Sequence, residues 1–191
     1  MNKNIILCGV GGQGTVLASK LIAAAAMEKN WQVMSAETIG MAQKGGSVFS
    51  HVRLGDDLYS PMMEYGEADI VIAFEPAEAV RMLPYLKQGG TVVVNAHPIM
   101  PVNAVLSGGN YRAEEMLEYL KKVTEKLVIL DCQKACEELG SSKVVNMVLL
   151  GAALKTGELP FTKEDIIDVM HKRVKPQFHQ LNEKALTYFM E

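Results

Sequence analysis

The sequence is poor in three features that often reveal a protein's class: cysteine, net charge of one sign, and long apolar runs. Only Cys8, Cys132 and Cys136 occur among the 191 residues. An odd and sparse set of thiols argues against a disulfide framework and favours a reducing, cytoplasmic setting. One iron–sulfur cluster needs about four thiolates, which this chain cannot supply by itself. A metal pair at Cys132 and Cys136, one helical turn apart, is the lesser alternative because no further ligand lies near in sequence.

Charge and hydropathy exclude further classes of protein. A formal net charge of −3 gives no reason to propose nucleic acid or an anionic membrane as a partner. No apolar run approaches the roughly 20 residues of a membrane-spanning helix. No signal-peptide pattern is evident, because a strand pattern begins at Asn4. The apolar fraction of 49% is ample for a core, so we expect a single domain over residues 1–191.

Strand and helix patterns alternate over residues 1–140, which form the predicted core. The predicted strands are Asn4–Cys8, Gln32–Ala36, Val48–Leu54, Asp69–Phe74, Thr91–Asn95 and Leu127–Asp131, and the predicted helices are Thr15–Lys29, a helix from Pro76 to near Gly89-Gly90, and Ala113–Lys126. Such alternation predicts an α/β, Rossmann-like fold with a mostly parallel sheet and helices on both faces. Residues 141–191 carry helix patterns only, with a capping-box signature at Thr162 and Asp165. They predict a C-terminal helical appendage, packed either on the sheet or on a partner.

A glycine-rich turn, Gly9–Gly14, separates the first strand from the first helix. Glycines let the backbone approach a phosphate closely, and the helix N-terminus directs unpaired N–H groups and partial positive charge at it. Glu37 ends the second strand, where an acid holds the ribose in dinucleotide-binding proteins. The turn therefore predicts phosphate or nucleotide binding; the alternative is a tight turn whose glycines serve packing alone.

A second distinctive loop, Lys44–Ser47, joins a cation, two glycines and a hydroxyl. It is a candidate anion contact, with a solvated surface loop as the alternative. The candidate binding residues are therefore Gly9, Gly11, Gly12, Gln13, Gly14, Thr15, Lys44, Gly45, Gly46 and Ser47. His51 and His97 are weaker candidates for catalysis, and we assign no catalytic or metal-binding residue.

Three motifs together resemble a known family: Gly9-Val-Gly-Gly-Gln-Gly14, Ala36-Glu-Thr-Ile-Gly-Met-Ala-Gln-Lys-Gly-Gly-Ser47 and Ser50-His-Val-Arg53. They resemble the gamma-type subunits and domains of 2-oxoacid:ferredoxin oxidoreductases, above all the indolepyruvate branch, and the resemblance covers the whole chain. One departure is Lys44, where the family commonly has arginine; the positive charge is kept but bidentate geometry is lost.

The resemblance implies a subunit of an enzyme that converts a 2-oxoacid and coenzyme A to an acyl-CoA and carbon dioxide while reducing ferredoxin. It implies a hetero-oligomer in which thiamine diphosphate, magnesium and 4Fe-4S clusters lie in a partner alpha subunit, with ferredoxin reached through the complex. This chain would position a phosphate-bearing group, such as the nucleotide end of coenzyme A. The alternatives are a free-standing NAD- or FAD-binding protein that uses Glu37, for which no substrate domain follows, and an interaction module whose turn binds nothing.

Overall fold

The strands and helices follow one another in the alternating order that the sequence predicts. The computed structural model describes residues 2–38, 46–100 and 111–190. Within these ranges the strands are β1 (Lys3–Val10), β2 (Gln32–Glu37), β3 (Ser47–Gly55), β4 (Ala68–Ala73), β5 (Leu86–Asn95) and β6 (Lys126–Leu130). The α-helices are α1 (Thr15–Glu28), α2 (Pro76–Met82), α3 (Ala113–Val123), α4 (Cys132–Leu139), α5 (Val145–Lys155), α6 (Lys163–Arg173) and α7 (His179–Thr187). Short 3₁₀ helices cover Leu83–Tyr85, Ser142–Val144 and Pro176–Phe178.

All of these strands form one sheet, in the order β2-β3-β1-β4-β5-β6. Parallel pairing joins β1 to β4, β4 to β5, and β5 to β6. In contrast, β3 is antiparallel to both of its neighbours, β1 and β2. Since β2 therefore points the same way as β1, only β3 runs against the others, and the predicted mostly parallel sheet is confirmed.

Helices cover both faces of the sheet, as predicted. Alternate residues of β1 serve opposite faces: Ile5 and Leu7 pack in a larger core with α1, α4, α5, α6 and α7, whereas Ile6 and Cys8 pack in a smaller core with α2 and α3. All six residues of β4 are buried, as expected for a parallel strand covered on both faces.

The C-terminal helices pack on the sheet, which is one of the two predicted alternatives. Residues Asn146–Leu154 of α5 are all buried. Gly151 allows α7 to approach closely, because a Cβ at this position would lie 1.8 Å from the carbonyl oxygen of Leu186. The predicted capping box opens α6: the Asp165 N–H donates to Thr162 Oγ1 at 3.2 Å, and the Thr162 N–H donates to Asp165 Oδ2 at 2.8 Å.

The prediction of a helix from Pro76 to Gly89-Gly90 is wrong. The helix α2 ends at Met82, and β5 already begins at Leu86. Pro84 follows α2 closely and cannot donate a helical hydrogen bond. Gly89 has a φ of 70°, and the β4–β5 register shifts between Ala68 and Ile70. The glycine pair therefore marks an irregularity inside a strand rather than a helix end.

Candidate functional site

The loops that follow β1, β4 and β5 gather at the carboxyl edge of the sheet, where ligands bind in open α/β folds. The glycine turn touches the second predicted loop, because the Gly11 N–H donates to the Gly46 carbonyl at 3.0 Å. The structure thus brings the glycine turn into contact with Gly46 of the second loop. Lys44 and Gly45 lie outside the described residues.

The Gln13 side chain braces the glycine turn from inside. Its Oε1 accepts from the Val10 N–H at 2.7 Å, and its Nε2 donates to the Phe74 carbonyl at 2.9 Å. Asn95 Nδ2 donates to the same carbonyl at 3.2 Å. Since both ends of the amide are bonded, Gln13 holds the end of β1 to the end of β4 in this conformation instead of facing a ligand.

Each of two glycines in the turn meets a different requirement. At Gly9 a Cβ would lie 2.6 Å from Gln13 Oε1 and 2.7 Å from Phe74 Cβ. Position 9 therefore needs a residue without a side chain if Gln13 is to make its two hydrogen bonds. Gly14 has a φ of 86°, in the left-handed region that glycine adopts readily. Gly14 is also the N-cap of α1 and has no side chain to cap the helix.

Because Gly14 has no side chain to cap α1, amide N–H groups at the start of the helix lack a hydrogen-bond acceptor. The N–H groups of Gly12, Gly14, Thr15 and Val16 have no acceptor within the described residues. Gly12 is exposed, whereas Thr15 is buried. Such N–H groups, at the positive end of a 14-residue helix, form a binding place for an anion.

Asn146, at the start of α5, adds a side-chain donor that sequence reasoning missed. The residue is 2% exposed, and its Oδ1 accepts from the Met147 N–H at 2.9 Å. That bond directs Nδ2 toward the glycine turn. A Cβ atom built on Gly14 would lie 3.0 Å from this Nδ2. No acceptor within the described part of the chain faces Nδ2. More than 130 positions separate Asn146 from the turn, and no motif in the sequence links them.

Two buried carboxylates lie at the N-terminal end of α2. The predicted anion contact Ser47 donates its hydroxyl to Glu78, and Arg81 Nε lies 3.3 Å from the same carboxylate. Ser47 is thus engaged by an acid in this conformation. The second carboxylate, Glu75, caps α2 and also accepts from Tyr111 Oη. Burial raises the pKa of Glu75 although these groups donate to it.

The three cysteines lie in two different cores. Cys8 packs on one face of the sheet, whereas Cys132 and Cys136 pack on the other. Burial raises the pKa of the Cys8 thiol, and the charges of Glu78 and Glu75 raise it further. Burial likewise raises the pKa values of Cys132 and Cys136. No group of three or more His, Cys, Asp or Glu side chains in the described residues is arranged to hold a metal ion.

Glu37 ends β2, as predicted, but the topology changes its surroundings. In the dinucleotide fold the strand that carries the ribose acid lies directly beside β1, whereas here β3 separates β2 from β1. The Glu37 carboxylate accepts from the Ser19 hydroxyl of α1 at 2.9 Å. It therefore ties β2 to α1.

Neither weaker histidine candidate contacts the glycine turn. His51 is fully buried, and its Nδ1 accepts from the Met63 N–H at 3.3 Å. His97 is exposed beyond the end of β5, and its N–H donates to Asn95 Oδ1 at 3.3 Å. No helix among the described residues is long and apolar enough to cross a membrane.

With the geometry established, comparison with known proteins identifies relatives along the whole chain. The profile of the family described as "Pyruvate ferredoxin/flavodoxin oxidoreductase" matches residues 4–191. The "Indolepyruvate oxidoreductase subunit IorB" of Pyrococcus horikoshii is 38% identical over 187 residues, covering 95% of this chain and 91% of the relative.

Two solved structures share the fold. The gamma subunit of keto/oxoacid ferredoxin oxidoreductase from Geobacter sulfurreducens superposes with a TM-score of 0.68 at 24% identity, covering 97% of this chain and 94% of that one. The 2-oxoglutarate:ferredoxin oxidoreductase from Magnetococcus marinus, whose structure contains 2-oxoglutarate, coenzyme A and succinyl-CoA, superposes with a TM-score of 0.63 at 22% identity. It covers 98% of this chain but only 30% of the longer polypeptide.

Proposed function

This chain belongs to the pyruvate ferredoxin/flavodoxin oxidoreductase family, and from that premise we propose that it is a subunit of a 2-oxoacid:ferredoxin oxidoreductase acting on indolepyruvate or another aryl-pyruvate. The match to the IorB relative supports this substrate class, because it extends over nearly the full length of both chains. The reaction is the oxidative decarboxylation of the 2-oxoacid with coenzyme A to an acyl-CoA, with ferredoxin as the electron acceptor.

In this proposal thiamine diphosphate, magnesium and the 4Fe-4S clusters belong to a partner alpha subunit. The thiols of this chain support that division. Cluster ligands are thiolates, whereas burial favours the protonated form of all three cysteines. They also lie on opposite faces of one sheet, so they cannot converge on one cluster.

The task of this chain is to hold the phosphate-bearing end of coenzyme A at the N-terminus of α1. The observation that carries this assignment is that the amide N–H groups of Gly12, Gly14, Thr15 and Val16 have no acceptor in the described residues. An anion at a helix N-terminus gains about 0.3–1 kcal/mol, and up to about 2 kcal/mol when partly buried. Asn146 Nδ2 supplies a further donor beside Gly14, and Lys44 supplies the charge.

The buried carboxylates near the site do not prevent anion binding, because each one is already satisfied by donors. Glu78 accepts from Ser47 and pairs with Arg81, and Glu75 caps α2. The alternative, a free-standing NAD- or FAD-binding protein, is not favoured, since Glu37 bonds Ser19 and β3 separates its strand from β1.

Calorimetry on the complex of this chain with its larger partner tests the proposal. Coenzyme A should bind, and Lys44→Ala or Asn146→Leu should weaken its binding about tenfold, equivalent to about 1.4 kcal/mol. Lys20→Ala is the matched control, because Lys20 is an exposed lysine of α1 and should leave the affinity unchanged. Unaltered affinity in both site variants would refute the assignment to the glycine turn.

Two other outcomes would refute the proposal more broadly. Micromolar binding of NAD that disappears in Glu37→Ala would establish the nucleotide-binding alternative. Recovery of the native chain only as a lone monomer, with no larger cysteine-rich subunit, would exclude a role as an enzyme subunit.

A further inference from the structure

The loop between β3 and β4, Asp56–Glu67, carries an unusual share of exposed apolar surface. It lies at the edge of the sheet opposite the glycine turn, because β3 is antiparallel to β1 and its last residues pair with the start of β1. Tyr59 is 89% exposed, Tyr65 is 73% exposed and Met62 is 47% exposed. Tyrosine and methionine are enriched at the cores of protein interfaces, and clustered exposed apolar side chains mark interaction sites.

Two buried residues anchor this loop to the body of the protein. Leu58, next to Tyr59, is 5% exposed, and Met63, next to Met62, is 4% exposed. The backbone of Leu58 is also bonded at both its N–H and its carbonyl by the Gln32 side chain. The exposed side chains are therefore held on a fixed backbone.

Arg53 fixes the conformation of the loop between these anchors. Its Nη1 donates to the carbonyls of Ser60, at 3.4 Å, and Met62, at 3.3 Å, and its Nη2 lies 3.6 Å from a carboxylate oxygen of Glu67. Asn4 Oδ1 accepts from Arg53 Nε at 3.1 Å. One guanidinium thus holds the middle of the loop, its end and the first strand together.

His51 supports the loop from within the core. Its Nδ1 accepts from the Met63 N–H, and its ring packs edge-to-face on Tyr85 with centroids 5.1 Å apart. Tyr85 in turn packs against Tyr65 with centroids 4.7 Å apart. The Ser50–Arg53 motif, which the glycine-turn site leaves without a task, therefore orders this loop. Pre-ordering of this kind lowers the entropy that binding a partner would cost.

The charge of the loop indicates what binds it. Asp57 and Glu64 are exposed, and their carboxylates have no cationic partner within the described residues. Two copies of this chain that met loop to loop would place like charges against one another, which disfavours that mode of self-association. The complementary partner presents a basic rim around an apolar pocket.

We propose that the loop Asp56–Glu67 docks on the thiamine-bearing subunit of the same enzyme, with Tyr59 and Met62 inserted into an apolar pocket and Asp57 and Glu64 facing basic side chains. The proposal rests on the proposed function, because that function supplies the partner subunit. It assigns the Ser50–Arg53 motif to assembly and leaves anion binding to the opposite edge of the sheet.

The test measures the dissociation constant between this chain and the purified partner subunit by calorimetry. Tyr59→Ala should weaken the association at least tenfold, whereas Tyr119→Ala should change it less than twofold. Tyr119 is the matched control because it is a tyrosine of α3, outside the loop, and is 49% exposed. Tyr59→Ala removes an almost fully exposed side chain, so circular dichroism and the urea midpoint should show an intact fold.

The salt dependence of binding tests separately whether the exposed acids Asp57 and Glu64 contribute to docking. Raising the salt concentration should weaken the wild-type association, because exposed charge pairs are screened. The double variant Asp57→Asn and Glu64→Gln should bind more weakly at low salt and respond less to added salt. Equal salt dependence in the double variant and the wild type would contradict the proposed electrostatic match.

The remaining outcomes separate failure of the docking surface from failure of the enzyme assignment. If the wild-type complex forms and Tyr59→Ala binds like wild type, the docking surface is wrong and the proposed function stands. If no complex forms with any thiamine-bearing subunit, both are overturned. A self-association of this chain that Tyr59→Ala abolishes would identify a second copy as the occupant and would also overturn the proposal.

Discussion

Replacing Gln13 with alanine should destabilise the protein although Gln13 lies in a loop. Alanine removes the acceptor of the Val10 N–H, a bond of 2.7 Å, and the donor to the Phe74 carbonyl, a bond of 2.9 Å. Because Val10 is buried, its N–H cannot readily form a replacement hydrogen bond with water. The end of β1 and the end of β4 would lose the brace that joins them.

The two lost hydrogen bonds have unequal consequences. A buried N–H left without an acceptor costs about 1–3 kcal/mol. The Phe74 carbonyl keeps the Asn95 Nδ2 donor, so losing the second bond should cost only about 1 kcal/mol, the usual net value of one hydrogen bond. We therefore expect Gln13→Ala to lower the free energy of unfolding by about 3 kcal/mol.

Urea unfolding followed by circular dichroism measures this change as a lower midpoint at constant m-value. Gln13→Met should behave in the same way, because methionine fills the space but makes neither bond. The control is Gln133→Ala. Gln133 is exposed on α4, and its side chain donates to Glu137 one turn away, so its loss should change stability by less than about 0.5 kcal/mol. If both Gln13 variants match the wild type within that margin, the brace has no energetic role and our reasoning fails.

Three further predictions follow from the packing and charges of the fold. Gly151→Ala should cost about 3 kcal/mol in urea unfolding, because the new methyl would overlap the Leu186 carbonyl; an unchanged midpoint would show that α5 and α7 do not pack as described. Thr162→Ala should cost about 1 kcal/mol through loss of the α6 N-cap. The control is Thr187→Ala, because the Thr187 hydroxyl makes no capping bond; equal costs for the two variants would contradict this prediction. Burial raises the pKa of Glu75 above its ordinary 4.5, so the folded chain binds a proton more readily than the unfolded chain does. The free energy of unfolding should therefore fall as pH rises from 4.5 through the raised pKa of the folded chain. Glu75→Gln should flatten this part of the pH profile of unfolding, and identical profiles would refute the assignment.

Much of the fold was predictable because local patterns agreed with the tertiary environment. Strands such as Ala68–Ala73 are apolar throughout, as parallel strands buried on both faces must be. The capping box at Thr162 is a local hydrogen-bond pattern, so it could be recognised from four residues. The failure at Gly89-Gly90 has a clear cause: glycine is frequent at helix ends and at strand irregularities alike, and only the pairing of β4 with β5 distinguishes them.

The sequence singled out the two loops of the candidate site but not the contacts of their side chains. The glycine turn and Gly46 do meet at the carboxyl edge of the sheet, because Gly46 leads into β3, whose first residue Ser47 pairs with Val10 at the end of β1. The roles of individual side chains were not predictable. Gln13 bonds the protein itself, Ser47 bonds Glu78, and an additional donor beside Gly14 comes from Asn146, which is distant in sequence.

The sequence by itself determined the class of fold and the family, and it singled out the two loops that we propose for anion binding, because periodicity and short motifs are local properties of the chain. The tertiary structure decided that β3 lies between β1 and β2 and that Glu37 accepts a hydrogen bond from Ser19. It also decided that His51 and Arg53 order a loop at the far edge of the sheet. The physical reason is that strand order and side-chain partners depend on contacts between residues far apart in sequence, which local pattern does not specify.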